Sequence, residues 1–170
     1  MRGTDTSERP IVGSGADGTH VLFVCTANVC RSPMAEAISK ALAEEQSVPW
    51  RASSAGVRAL VGEGLSPRAN AALEEIGIHP GKHWARQVDP IMLQEADLVL
   101  TMTLNHADSL RRLSPPNSDK VHTLVAFANG TIEGEGIPDP YGQSMTAHRA
   151  SVRQLLSYLG EVVRRVGREQ

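Results

Sequence analysis

The chain has few cysteines, little net charge and no long apolar stretch, and each shortage removes a class of function. Two cysteines in 170 residues, Cys25 and Cys30, make no disulfide framework. They are also too few for a structural zinc site unless histidines complete it. A reducing compartment, the cytoplasm, is the expectation. Seventeen basic residues against nineteen acidic ones leave a formal charge of −2. The basic residues are scattered, so neither a nucleic-acid nor a membrane surface is expected. Apolar runs such as 21–24 and 98–100 are far too short to cross a bilayer. The opening residues hold no apolar signal-peptide core, so secretion by that route is not expected.

What is present reads as one α/β unit. Residues 1–19 are polar and rich in Gly, Ser, Thr and Asp, and are read as a flexible N-terminal tail ahead of a single domain over 20–170. Val21 to Val24 is a continuous apolar run, the pattern of a strand buried on both faces. Met34, Ile38, Ala41 and Leu42 then recur at helical spacing, with Pro33 in the first turn. Trp50 to Ser54 predicts a second strand ending at Ala55-Gly56. Ala69, Ala72, Leu73 and Ile76 predict a helix begun at Ser66-Pro67 and stopped by Gly77. A short helix over 91–95, a strand at Leu98 to Leu100 and a helix from Asn105 to Leu113 follow, and Pro115-Pro116 ends the last of these. Val121 to Val125 predicts a fourth strand, and Val152, Leu155, Leu156, Leu159 and Val163 predict a long final helix. Strands alternating with helices imply a parallel sheet covered on both faces. No internal repeat is found.

The chemistry is concentrated in Cys25-Thr26-Ala27-Asn28-Val29-Cys30-Arg31-Ser32, between the first strand and its helix. In an open α/β sheet, ligands bind beyond the carboxyl ends of strands. A loop feeding a helix there turns backbone N–H groups and the positive end of the helix dipole into one concavity, which is an anion site. Residues Thr26 to Cys30 supply the loop, and Arg31 adds a planar fork of donors for two phosphate oxygens. Such surroundings favour a thiolate, which makes Cys25 a candidate nucleophile toward phosphorus. Ser32 is placed to hydrogen-bond the sulfur, and Asn28 is a residue that tolerates left-handed backbone. The opposing reading, two small buried thiols, is the commonest fate of free cysteine. It is outweighed by the Cys-x5-Arg-Ser spacing at a strand-to-helix junction. For Cys30 two readings stand: a partner that can form a disulfide with Cys25 under oxidation, or a packed thiol.

Expelling the leaving group requires an acid. Asp139, restrained by Pro138 and Pro140, is the candidate, and it can afterwards activate water. An ordinary Asp-Pro turn is the competing reading, and the cysteine loop decides against it.

Val21 to Ala37, with Cys-x5-Arg-Ser-Pro-Met-Ala-Glu, resembles the signature of low-molecular-weight protein tyrosine phosphatases. The resemblance continues through Ser54-Ala55-Gly56, His83 to Gln87, Ala96 to Met102 and Asp139-Pro140-Tyr141, covering about His20 to Val163. It implies a three-layer α/β/α domain with a four-stranded parallel sheet, no metal or other cofactor, and a cysteinyl-phosphate intermediate. It also implies that Ser54 and His83 orient Asn28. Tyr141 forms an apolar wall against an aromatic phosphoester. Where many tyrosine-directed members have a second aromatic, this chain has Leu60, with no Trp or Tyr nearby. Ser53 to Val57 and Asp139 to Ser144 look like the bacterial branch that includes protein arginine phosphatases. In arginine-directed members the position of Val29 is typically Thr, and valine lacks that hydroxyl. Tyrosine-directed members usually carry Ile there. Phosphotyrosine in protein substrates is therefore the expected target, with phosphoarginine the runner-up, and a monomer is favoured.

Two rivals belong to other classes. Arsenate reductases of related fold relay electrons through downstream cysteines, but this chain has none after Cys30, so only a mechanism borrowing an external thiol survives. A non-catalytic phosphate-binding module would need Arg31 and the loop amides, but not Cys25 and Asp139 together.

Overall fold

A computed structural model describes residues 17–132 and 135–170. Most of the expected tail lies outside the described residues. Its last member, Thr19, is already buried and opens the first strand. Four strands, β1 (Thr19–Cys25), β2 (Trp50–Gly56), β3 (Leu98–Thr101) and β4 (Val121–Thr123), form one parallel sheet in the order β2-β1-β3-β4. Among the described residues six helices accompany them: α1 (Arg31–Glu45), α2 (Pro67–Glu75), α3 (Pro90–Glu95), α4 (Leu104–Leu113), α5 (Leu124–Asn129) and α6 (Met145–Glu169). A 3-10 turn over Pro115–Lys120 joins α4 to β4.

The period of two along β1 sends its side chains to two separate cores. Val21, Phe23 and Cys25 pack with Met34 and Ile38 of α1, Leu73 of α2, Leu124 and Phe127 of α5, and Leu155 and Leu159 of α6. Leu22 and Val24 pack with Leu93 of α3, Val99 of β3, and Ala107 and Leu110 of α4. The result is the three-layer α/β/α arrangement with helices on both faces, as a parallel sheet requires. No helix among the described residues is long and apolar enough to cross a membrane.

Two expectations are corrected. The strand expected over 121–125 ends at Thr123, whose hydroxyl accepts from the Ala126 N–H at 3.2 Å and caps α5. Leu124 to Phe127 are all buried, and a short apolar run of that kind satisfies strand and helix equally. Ile76 lies beyond the last turn of α2 and is 41% exposed, so that helix's apolar face ends at Leu73.

Helix capping sets α1 and α2, which have no side-chain cap, apart from the other four helices. Asp89, Thr103, Thr123 and Ser144 each accept a hydrogen bond from the first turn of α3, α4, α5 and α6. Cys30, in the corresponding position of α1, offers no side-chain cap. The first amides of α1 are thus left facing the loop that precedes them.

Candidate active site

Cys25 ends β1 and Arg31 begins α1, so residues 26–30 form the bend at the sheet's carboxyl edge, between neighbours β2 and β3. Asn28 takes the left-handed conformation, with φ of 60°. The carbonyls of residues 25–29 all accept from partners outside the loop. Those of Cys25, Thr26 and Ala27 accept from the N–H groups of Val57, Arg58 and Leu60 at 2.9, 2.9 and 3.1 Å. The Val29 carbonyl accepts from Ser66 N–H at 2.9 Å, and the Asn28 carbonyl from His83 Nε2 at 2.7 Å. The amides of residues 26–30 have no backbone partner among the described residues. With carbonyls engaged by neighbouring segments and amides without backbone partners, the bend has the make-up of an anion nest.

The side chains converge on the same place. Cys25 Sγ lies 2.9 Å from Ser32 Oγ. Asn28 Nδ2 donates to that hydroxyl at 2.8 Å, which leaves the hydroxyl's own hydrogen for the sulfur or, at a longer 3.4 Å, for the Ala55 carbonyl. Arg31 is 4% exposed. Its Nη1 donates to the Ile137 carbonyl at 3.0 Å. Its Nη2 lies 3.4 Å from both Thr26 Oγ1 and Asp139 Oδ2, and its Nε has no hydrogen-bond partner among the described residues. Asp139 is held by its own loop, accepting from Tyr141 N–H at Oδ1 (3.1 Å) and from Gln143 Nε2 at its carbonyl (3.1 Å). Ile137 ties that loop to the sheet, its N–H donating to the Met102 carbonyl at 2.8 Å.

Ser54 is placed differently from the expectation. Its hydroxyl donates to Glu36 Oε2 at 2.9 Å and does not reach Asn28. The Asn28 side chain is oriented by Ser32 and by the backbone N–H of Arg86, which donates to Oδ1 at 3.0 Å. Ser54 acts one step back, its carbonyl accepting from Arg86 Nε at 2.9 Å. His83 holds the carbonyl of Asn28 and leaves its amide alone. Both Arg86 and Glu36 sat inside conspicuous runs, His83 to Gln87 and the Met-Ala-Glu after the loop. Only the folded contacts give them partners.

Gly56 and His106 are two further contributors missed in the sequence. A Cβ on Gly56 would stand 2.4 Å from the Thr26 carbonyl oxygen, so only glycine allows β2 this close to the loop. His106, in the first turn of α4, sits 2.8 Å from Thr26 Oγ1. Burial and the nearby Arg31 charge push its pKa down to about 4, against a smaller upward pull from Asp139.

A groove of about 900 Å³ runs from the loop, lined by Val29, Leu60, Ser66, Arg68, Tyr141 and His148. Leu60 and Tyr141 are 43% and 55% exposed, two apolar surfaces on one opening. Cys30 is a buried free thiol, and desolvation pushes it up to about 11 despite a hydrogen bond from Ser66.

The chain is similar to known proteins over most of its length. The family model described as low molecular weight phosphotyrosine protein phosphatase matches residues 20–170. A protein-arginine-phosphatase of Geobacillus stearothermophilus is 36% identical over 88% of this chain and 97% of its own length. A low molecular weight protein-tyrosine-phosphatase of Streptomyces coelicolor is 39% identical over 71% of this chain and 77% of its own. The solved structure of a low molecular weight protein tyrosine phosphatase from T. tengcongensis superposes with a TM-score of 0.81. It is 36% identical and covers 87% of this chain and 99% of that one.

Proposed function

Since the chain belongs to the low molecular weight phosphotyrosine protein phosphatase family, a group of cysteine-based phosphatases, we propose that it hydrolyses phosphotyrosine in phosphorylated proteins through a cysteinyl-phosphate. The Cys25 thiolate attacks phosphorus as the P–O bond to the leaving group breaks. Asp139 gives its proton to the departing oxygen. Loop amides and the Arg31 fork carry the charge of the three equatorial oxygens. Water then attacks the phosphocysteine, Asp139 takes its proton, the S–P bond breaks, and Ser32 receives the sulfur as a hydrogen-bonded thiolate. One catalytic domain over 20–170 carries all of these steps.

The observation that carries this reading is the approach of Asp139 Oδ2 to 3.4 Å from Arg31 Nη2, beside a loop whose carbonyls from Cys25 to Val29 are all taken up by partners outside it. The unpartnered, buried Nε–H of Arg31 supports it, because a donor left unpaired in a folded interior is waiting for an acceptor. The reaction requires a reduced thiol, which suits the cytoplasm. A monomer is sufficient, because every group named belongs to one chain.

Phosphoarginine is the second reading, favoured by the high coverage of relatives named protein-arginine-phosphatase. Val29 argues against it: it lines the groove without a hydroxyl to select a guanidinium. Leu60 and Tyr141 offer a phenyl ring two apolar walls. Parallel kinetics on matched phosphotyrosine and phosphoarginine peptides test the ranking. A kcat/KM favouring the phosphotyrosine peptide is expected, and a large preference for phosphoarginine reverses it.

A further inference from the structure

His106 takes no part in the reaction above, yet it touches the machinery. It is 6% exposed, its Nε2 lies 2.8 Å from Thr26 Oγ1, and its Nδ1 is buried with no partner among the described residues. Thr26 Oγ1 is also one of the two side-chain oxygens at 3.4 Å from Arg31 Nη2, the other being Asp139 Oδ2. Arginine can only donate, so Thr26 accepts from Arg31. The imidazole is neutral and carries one hydrogen, which leaves two arrangements. A hydrogen on Nδ1 would bury an N–H with no acceptor, which folded proteins avoid more strictly than a bare lone pair. The hydrogen therefore sits on Nε2, and His106 donates to Thr26.

We propose that His106 is a positioning residue for the phosphate clamp: its Nε2–H fixes the Thr26 hydroxyl oxygen, which in turn holds the Arg31 guanidinium against the loop. The reasoning is rotameric. A threonine at this position can exchange its hydroxyl and methyl by one turn of χ1. Only the rotamer that His106 selects presents oxygen to Arg31; the other presents a methyl group. The contact matters most when Asp139 is protonated for its acid step. Its carboxylate charge is then lost to Nη2, and Thr26 is the side-chain acceptor that remains. This proposal rests on Arg31 being the phosphate clamp.

The test uses the full chain, with inorganic phosphate binding measured by calorimetry and p-nitrophenyl phosphate hydrolysis measured alongside. His106→Leu and Thr26→Val are each expected to weaken phosphate binding roughly three- to tenfold, the size of one neutral hydrogen bond. Each is expected to raise KM by a similar factor. The double variant should be no worse than either single one, because both remove the same link. His106→Gln, whose side-chain amide reaches about as far as Nε2, should recover most of the binding. Unchanged phosphate binding in His106→Leu overturns the proposal. So do single effects that multiply in the double variant, since that pattern describes two unrelated packing defects. If His106→Leu does not fold, Thr26→Val and His106→Gln read the same hydrogen bond from its other end and through its replacement. A wild-type protein that binds phosphate but hydrolyses nothing rejects the catalytic reading, while the binding series still decides the role of His106.

Discussion

Gly56→Ala should leave a folded protein with a damaged active site. The new Cβ would stand 2.4 Å from the Thr26 carbonyl oxygen and 3.1 Å from the Asn28 nitrogen, whereas side-chain carbons do not approach such atoms closer than about 3.0 Å. Something must therefore give by roughly 0.6 Å. Gly56 itself is pinned: its N–H donates to the Arg86 carbonyl, its carbonyl accepts from Val88, both at 2.9 Å, and it pairs with Cys25 in the sheet. The loop has to retreat instead, stretching the bonds that Thr26 and Ala27 make to Arg58 and Leu60. Overpacking of this kind costs about 1–3 kcal/mol of stability, survivable for most domains. A shift approaching 1 Å at a reacting centre costs about 10²-fold in rate. We expect kcat/KM on p-nitrophenyl phosphate to fall about 30- to 300-fold while thermal melting drops by only several degrees. Wild-type turnover in a folded Gly56→Ala protein would refute the argument that the loop's geometry is set by β2.

Cys25→Ser should abolish turnover yet keep phosphate binding, read by calorimetry; residual hydrolysis near the wild-type rate rejects the cysteinyl-phosphate. Arg31→Lys leaves a point charge where a fork met Ile137, Thr26 and Asp139, so phosphate affinity should fall about 10- to 100-fold. Asp139→Asn should lower kcat by about 10²–10⁴ on phosphotyrosine peptides and much less on p-nitrophenyl phosphate, whose leaving group scarcely needs a proton. His106 predicts a pH slope in stability. Its pKa falls from 6.5 to about 4 on folding, so between those values the unfolded chain binds a proton that the folded one refuses. Stability is then fully present above pH 6.5 and declines toward pH 4, by about 3 kcal/mol at most. Denaturant titrations of wild type and His106→Leu should show that slope flattened in the variant.

The loop from Cys25 to Arg31 was legible in the sequence as a strand-to-helix junction because its parts are contiguous: a buried strand, the seven loop residues and a helix with proline in its first turn. Local pattern suffices for that. It also sufficed for β1 and β3, whose apolar runs are bounded by turns or helices of clear period, while β2, with Arg51, Ser53 and Ser54 in its middle, gave a weaker signal. Residues 121–127 defeated it because the apolar run from Leu124 to Phe127, directly after β4, suits strand and helix equally, and the switch depends on a single threonine cap. The supports of the loop were less legible, because they come from far along the chain. Arg86 reaches Asn28 across 58 residues and His106 reaches Thr26 across 80. Nothing in a strand-end serine says whether its hydroxyl turns toward Asn28 or toward Glu36, and here it turns toward Glu36.

Arg31 explains why so many residues are committed to one loop. A guanidinium buried to 4% exposure, with one N–H unpaired and its nearest carboxylate half-exposed at 3.4 Å, is a costly feature of the folded state. An apolar side chain there would serve the core better. The surrounding bonds oppose that cost without removing it. Ile137 offers a carbonyl to Nη1, Thr26 offers a hydroxyl to Nη2, and outward bonds to Val57, Arg58, Leu60, Ser66 and His83 keep the loop carbonyls from collapsing onto the cation. Had they collapsed, those carbonyls would satisfy Nε and stabilise the protein. The fold forgoes that stabilisation, and Nε–H and the loop amides stay available for oxygens that the protein itself does not supply.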